Sequence, residues 1–306
     1  MNILVTGATG FIGSHLVRKL LNLQHKVFIS VRPSSNTSRI NNISDKLIKI
    51  DIDSSLNGIH ETFKKNKIDG IIHLATYYRK EDSTKEIENM NNINIIFPTR
   101  LLNMAKEHGI SFFINTGTCF EYSPSLRHID ENSIIKPFNY YALTKFKFEE
   151  KLIKSTKGSS LKAFTLKLFF PYGEQDNNKL IKLLIESLIL KREFHVTKGG
   201  QYLSYTYVED IVNAFILALN HILIAQNNYD IFNIGGAPIK VSNIFDILEE
   251  ISAAKGLIAR DKEYPQNEIM SMFTNSEKAK KELGWKQKWS LKEGLQKTYS
   301  YYLTHY

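Results

Sequence analysis

The sequence predicts an α/β fold: a doubly wound parallel sheet with a smaller, interlocked C-terminal domain. Three observations predict it. The chain opens on a short apolar run, Ile3-Leu4-Val5, followed at once by Gly7-x-x-Gly10-x-x-Gly13 and an amphipathic stretch over 14–23. Short apolar runs then alternate with helix-like segments as far as residue 168. Beyond Pro171-Tyr172-Gly173 that alternation becomes irregular. Such an order implies parallel strands joined by right-handed helical crossovers, with the ligand at the carboxyl ends of the strands.

The first run suits a strand covered on both faces. In the glycine series the first residue permits a tight turn, the second lets backbone N–H groups approach a pyrophosphate, and the third allows close helix–strand contact. The helix that follows offers unpaired donors to an anion. The run therefore points to a bound dinucleotide, although its spacing differs from G-x-G-x-x-G; its place directly after a strand gives it weight. Gly7, Thr9, Gly10, Phe11, Ile12 and Gly13 are the expected contacts in a Rossmann-type domain. Further strands are expected at 26–31, 47–50, 70–74, 111–115 and 163–168. After them come a helix at 179–190, an extended stretch at 195–207, a helix at 208–221, a strand at 231–234 and helices at 241–255 and 277–283. Residues 1–170, with 204–232 returning, are assigned to the dinucleotide-binding domain. Residues 171–203 and 233–306 form the smaller substrate-binding domain.

With 306 residues and 42% hydrophobic content, the chain can bury a full core. No basic leader and no run of about 18 apolar residues occurs, so secretion and membrane spanning are not expected and a cytoplasmic location is. The single cysteine, Cys119, has no intrachain partner, which fits a reducing compartment. The formal charge is +9, but the lysines are spread over many helices. Anionic small molecules, rather than nucleic acid, are the expected partners. No metal site is expected.

At the end of the second strand, where an acidic residue often binds a ribose 2′-hydroxyl, the chain has Arg32 with Ser34 and Ser35. That setting can hold a 2′-phosphate, which favours NADP and leaves NAD possible. An exposed Arg32, or one stacked on adenine, leaves the preference open. Asp51-Ile52 closes the third strand near an expected adenine, with a helix cap as the other reading of Asp51. Leu74-Ala75-Thr76 closes the fourth, where small residues admit the cofactor.

Tyr141 and Lys145 are four apart on a predicted helix and share one face. A nearby ammonium favours a phenolate, and the lysine can also hold ribose hydroxyls. Tyr140 has Thr144 four residues on, so Tyr141 is the better candidate.

Together Gly7-x-x-Gly10-x-x-Gly13, Ile72-His73-Leu74-Ala75, Asn94, Thr116-Gly117-Thr118, Tyr141-x-x-x-Lys145, Phe169-Phe170-Pro171-Tyr172-Gly173, Tyr207-Val208-Glu209-Asp210 and Lys281-Glu282-Leu283-Gly284-Trp285 resemble the extended short-chain dehydrogenase/reductase branch. That branch holds the nucleotide-sugar epimerases, dehydratases and reductases. The resemblance implies Thr118 as the hydroxyl on the substrate oxygen, Tyr141 as general acid/base and Lys145 as its electrostatic partner. It implies Asn94, Thr116 and Pro171 as further cofactor contacts. Tyr77, Cys119, Phe120, Phe170 and Lys179 would line the substrate. Dehydratases of this branch carry Asp-Glu after the threonine; Cys119 and Phe120 stand there, which argues against dehydration. Arginines that grip the diphosphate are replaced by Leu203 and Pro265, and a usual asparagine by Phe170, so Lys179, Lys182 or Arg260 would have to substitute.

The pattern looks most like the 4-keto-6-deoxyhexose reductases related to CDP-abequose and CDP-paratose synthases. The expected activity is NADP-dependent reduction of a nucleotide-activated 4-keto-6-deoxy sugar in deoxysugar or surface-polysaccharide synthesis. A nucleotide-sugar 4-epimerase with bound NAD is the alternative, then a reductase of a substrate without a nucleotide, and a non-catalytic dinucleotide-binding protein after that. Helices at 94–106 and 141–154 would pair in a homodimer, as in resembling enzymes, or belong to the core.

Overall fold

Strand β1 (Asn2–Thr6) lies inside a seven-stranded parallel sheet, and Ile3, Leu4 and Val5 are wholly buried there. The computed structural model describes residues 1–79, 82–177 and 179–306. The other strands are β2 (Lys26–Val31), β3 (Ile48–Asp51), β4 (Gly70–His73), β5 (Phe112–Thr118), β6 (Lys162–Leu168) and a last strand, Tyr229–Ile234. Their spatial order is β3-β2-β1-β4-β5-β6 followed by Tyr229–Ile234. Pairing is parallel between β1 and both β2 and β4, between β2 and β3, and between β4 and β5. The order reverses between β1 and β4, and ligands of open α/β sheets bind outside the carboxyl ends of strands at such a point.

The helices beside these strands include α1 (Phe11–Asn22), α2 (Asn57–Lys65), α3 (Thr84–Asn91), α4 (Phe97–Glu107) and α5 (Tyr140–Thr156). A π-helical turn, Asn92–Ile96, joins α3 to α4. The core between α2, α4, α5 and the sheet is filled by Leu4, Phe28, Ile59, Leu101, Phe113 and Phe148. Apolar strands covered by amphipathic helices are the only arrangement that buries both sets of apolar faces.

Two boundaries differ from the sequence expectation in ways that bear on function. Helix α1 begins at Phe11 rather than Ser14, because Gly13 lies in its first turn directly over Gly7. Strand β5 runs past Asn115 to Thr118, so Thr116 and Thr118 are strand residues.

The chain divides into two compact units. The first comprises Met1–Ser123, Ile134–Lys167 and Val212–Phe232; the second comprises Pro124–Ser133, Leu168–Ile211 and Asn233–Tyr306. Residues 124–133 and 204–211 thus lie in the second unit, where the sequence alternation puts them in the first. Hydrogen bonding gives the reason. Ile129 N–H donates to Phe273 O (2.8 Å), Ser271 Oγ donates to Ser125 O (2.6 Å), and Thr206–Tyr207 pairs with Pro171–Tyr172.

Within the second unit the expected extended stretch at 195–207 is three short strands, Phe194–Thr197, Tyr202–Ser204 and Thr206–Tyr207. The expected helix at 277–283 is helical over that whole span and takes a π turn at Ala279–Leu283. Asp210 staples this unit: its carboxylate accepts from Lys288 N–H (2.9 Å) and Trp289 N–H (3.2 Å), while its carbonyl accepts from the Trp285 indole (2.9 Å). Among the described residues, no helix is long and apolar enough to cross a membrane.

Candidate active site

The glycine turn after β1 is built for a ligand that needs backbone rather than side chains. Gly7 has φ +71°, and a Cβ there would fall 2.6 Å from Ala75 N, the residue after β4 and Leu74. A Cβ on Gly13 would fall 2.1 Å from Gly7 O. Gly10 N-caps α1 with no side-chain hydrogen bond and no acidic residue in the first turn, so the N–H groups of Phe11, Ile12 and Gly13 face outward from the helix start. A dinucleotide pyrophosphate fits this cradle. Thr9 lies in the same turn, and its carbonyl is 3.5 Å from Arg39 Nη1.

Arg32 follows β2 directly and is exposed, as is Ser34. Among the described residues the Arg32 guanidinium has no ion pair. Asp51 ends β3 and is exposed, and Ile52 donates its N–H to Val31 O (2.9 Å), which ties the ends of β2 and β3 together.

Beyond β4, Leu74 and Ala75 are half-buried and Thr76 is exposed. Thr6 Oγ1 anchors this bend, 2.7 Å from His73 Nδ1 and accepting from Ala75 N–H at 3.2 Å. His73 is wholly buried among Phe97, Phe113 and Phe148. Burial, then the charge of Lys145, pushes its imidazole well below the ordinary range, so it stays neutral.

Asn94, expected among the cofactor contacts, is 1% exposed and its amide joins two segments of the site. Its Oδ1 accepts from Tyr77 N–H (2.8 Å) and Thr76 Oγ1 (3.2 Å); its Nδ2 donates to Tyr77 O (2.9 Å) and Thr144 Oγ1 (3.0 Å). The π turn brings that amide inward. Thr144 Oγ1 donates in turn to Tyr141 O (2.7 Å), so the loop after β4 and the start of α5 are bound together. Tyr77 has its hydroxyl on Glu86 (2.7 Å) and its ring under Arg79.

Helix α5 is N-capped by Asn139, whose Oδ1 accepts from Ala142 N–H (2.9 Å). Tyr140 is engaged elsewhere, donating to Asn91 Oδ1 (3.0 Å). Tyr141 is half-buried at the start of α5, and burial holds its phenol above the ordinary tyrosine range. Lys145 is 2% exposed. Burial pulls its ammonium down to about 8 against the opposing pull of Glu121 and Glu149.

Thr116 and Thr118 sit at the end of β5. Thr116 Oγ1 donates to His73 O (2.9 Å); Thr118 Oγ1 accepts from Phe120 N–H (3.3 Å), which leaves its proton available. Cys119, expected to line the substrate, follows β5 directly and is 2% exposed. Phe120 is half-buried with its ring against Phe138.

Three expected site residues belong to the second unit. Phe170 has φ +34° and packs on Tyr205, Pro171 opens the short strand Pro171–Tyr172, and the Lys179 ammonium is 3.4 Å from Asp176. A cavity of about 380 Å³ in that unit is lined by Tyr205, Ala237, Ile239, Gln287, Trp289 and Leu291.

Sequence reasoning missed a buried ionic cluster beneath α5. Lys167 Nζ lies 2.9 Å from Glu121 Oε2 and 3.0 Å from Glu149 Oε1, with no side-chain exposure at Lys167 or Glu121. The available signal was Lys167 itself, a charge inside the apolar run of β6.

The comparisons agree with this architecture. Residues 3–235 match the family described as NAD dependent epimerase/dehydratase family. The chain is 28% identical to a putative UDP-glucose 4-epimerase of Methanocaldococcus jannaschii, covering 96% of both chains. It is 28% identical to the CDP-abequose synthase of Salmonella muenchen, covering 97% of both. The UDP-glucuronic acid 4-epimerase of Bacillus cereus, solved with UDP-glucuronic acid and NAD, superposes with a TM-score of 0.88 at 26% identity over 100% of both chains. The chain belongs to the NAD dependent epimerase/dehydratase family, within the extended short-chain dehydrogenase/reductase enzymes.

Proposed function

We propose that this enzyme reduces the 4-keto group of a nucleotide-linked 6-deoxy sugar with NADPH. The observation that carries the reading is Arg32: an exposed guanidinium, without an ion pair among the described residues, at the end of β2, where the chain supplies no carboxylate for a ribose 2′-hydroxyl. A 2′-phosphate would receive charge-assisted hydrogen bonds there from Arg32 and the neighbouring Ser34. The likeness to CDP-abequose synthase supports the same reading.

The glycine turn, Leu74 and Ala75 would hold the dinucleotide. When bound, the reduced nicotinamide supplies the hydride that the carbonyl carbon accepts. Tyr141 donates its phenolic proton to the carbonyl oxygen as negative charge grows on it, and Thr118 donates a hydrogen bond to the same oxygen. Burial keeps the Tyr141 phenol protonated at rest, the state in which a reduction uses it. Lys145 offsets the charge left on Tyr141 and can hold the ribose hydroxyls. With Cys119 and Phe120 after Thr118, no acid–base pair for loss of water stands there.

A 4-epimerase with firmly held NAD is the second reading, supported by the epimerase names of the relatives. Desalted protein incubated with a 4-keto-6-deoxyhexose nucleotide and NADPH tests both. Cofactor oxidation supports the reductase; co-purified NAD, with interconversion of UDP-glucose and UDP-galactose and no NADPH oxidation, replaces it with the epimerase. A homodimer paired through α4 and α5 belongs to the same proposal, and the mass in solution by light scattering tests it.

A further inference from the structure

Helix α5 carries Tyr141, Lys145 and Glu149 at four-residue intervals, so one stripe of the helix runs from the site into the core. The stripe ends on a closed ionic cluster. Lys167, from β6, lies between Glu149 and Glu121, and Glu121 Oε1 in turn accepts from Thr118 N–H at 2.8 Å. That bond is half of a capping box, in which Thr118 Oγ1 accepts from the turn Cys119–Glu121. Gly117 makes room: a Cβ there would fall 2.9 Å from Lys167 Cγ and from Thr165 Cγ2. The Tyr122 ring lies over the Lys167 ammonium at 4.7 Å. A single carboxylate would suffice to pair Lys167, and here there are two.

We propose that Glu121 and Glu149, clamped by Lys167, are positioning residues that keep the Lys145 ammonium charged in a dry site and hold the strand end that presents Thr118. The inference rests on the reading of Tyr141 and Lys145 as the reacting pair. Glu121, from the turn after β5, and Glu149, one helical turn on along α5, act on the charge of Lys145, and Lys145 acts on His73 of β4; Tyr141 is one helical turn back on α5. His73 is neutral and Tyr141 is protonated at rest, so the two glutamates are the negative charges that oppose desolvation of the ammonium. Lys167 is itself buried, which would lower it; the two carboxylates outweigh that and hold its ammonium above the ordinary lysine range. Burial, then the charge of Glu121, pushes the Glu149 carboxyl up to about 7. Two carboxylates and two ammoniums therefore balance one another between that value and the Lys145 midpoint at about 8, where the buried set is neutral.

The test is a titration of Lys145 in protein labelled with carbon-13 lysine, its Cε signal assigned by its loss in Lys145→Arg. The wild-type midpoint is expected at about 8. In Glu149→Gln, an isosteric change that keeps an acceptor for Lys167, the midpoint is expected about one pH unit lower, with the alkaline limb of kcat moving alongside it. An unchanged Lys145 midpoint in folded Glu149→Gln overturns the proposal. Should that variant not fold, the triple variant E121Q/E149Q/K167M removes the cluster without stranding Lys167 or a carboxylate, leaving Lys145 as the one charge read, and the same shift or its absence decides. Tyr141→Phe, assayed with NADPH and a 4-keto-6-deoxyhexose nucleotide, separates the premise. Full turnover there overturns the reacting pair itself; lost turnover with an unmoved Lys145 midpoint in Glu149→Gln overturns the positioning role alone.

Discussion

Tyr78 meets Tyr141 edge-on, with ring centroids 5.0 Å apart and planes at 83°. The contact uses the rings alone, so Tyr141→Phe keeps it and removes just the hydroxyl. Turnover is expected to fall by about 10²–10⁴-fold, the usual worth of a positioned acid, with NADPH affinity retained. Steady-state kinetics beside a fluorescence titration of NADPH checks this; equal losses in both would make Tyr141 a packing residue.

Arg32 is the discriminating residue for the cofactor. Arg32→Ala is expected to weaken NADPH about tenfold, the order of one lost charge-assisted hydrogen bond, and to leave NADH unchanged. Titration of the two cofactors side by side decides. Equal weakening would move Arg32 to the adenosine common to both.

The pH dependence follows from Lys145. Its ammonium is charged below about 8, so activity that needs the charge is present at neutral pH and declines as pH rises through that value. Stability moves the other way. An unfolded lysine keeps its proton to about 10.4, so between the folded and unfolded values the unfolded chain binds more protons, and stability from this group rises with pH. Urea midpoints of the wild type against Lys145→Met over that alkaline window measure the slope; a difference that falls with pH contradicts the sign.

Gly13→Ala drives a methyl group to 2.1 Å from Gly7 O, whereas Gly10→Ala brings it to 3.1 Å from the same atom. The first is expected to destabilise the chain by about 1–3 kcal/mol and to weaken NADPH binding; the second is expected to be milder in stability. Thermal melting of the two variants ranks them, and the reverse order would refute the geometry of the turn.

Lys167→Met leaves Glu121 and Glu149 buried together without the cation that pairs with both. A loss of about 3–5 kcal/mol is expected at neutral pH, smaller in acid where the carboxyls protonate. Urea unfolding at the two pH values tests it, and a uniform small loss would show that water reaches the cluster.

Much of this molecule is legible in its sequence where the controlling interactions are local. The glycine turn joins adjacent elements, and Tyr141 and Lys145 are neighbours on one helix face, so spacing alone places them. The choice of Tyr141 over Tyr140 rested on the residue four places on, and the structure gives Tyr140 a separate partner in Asn91. What spacing could not supply is the partner of a buried polar group. Glu121, Glu149 and Lys167 come from a turn, a helix and a strand, and they meet only once β5, β6 and α5 are packed. The bonds of the Asn94 amide to Tyr77 and Thr144 were likewise not visible, because they depend on a π turn and on residues far along the chain. Residues 124–133 could not be assigned by alternation either, since distant hydrogen bonds such as Ile129 N–H to Phe273 O fix their place.

The ionic cluster under α5 also constrains how this lineage can change. Loss of any one of Glu121, Glu149 or Lys167 breaks an ion pair out of reach of water, whereas a joint exchange for neutral residues leaves no broken pair among the three and shifts the cost to Lys145. Mutational drift at these positions is therefore expected to be concerted: descendants keep the trio or replace it wholesale, and an aligned set of close homologues should show the three columns varying together.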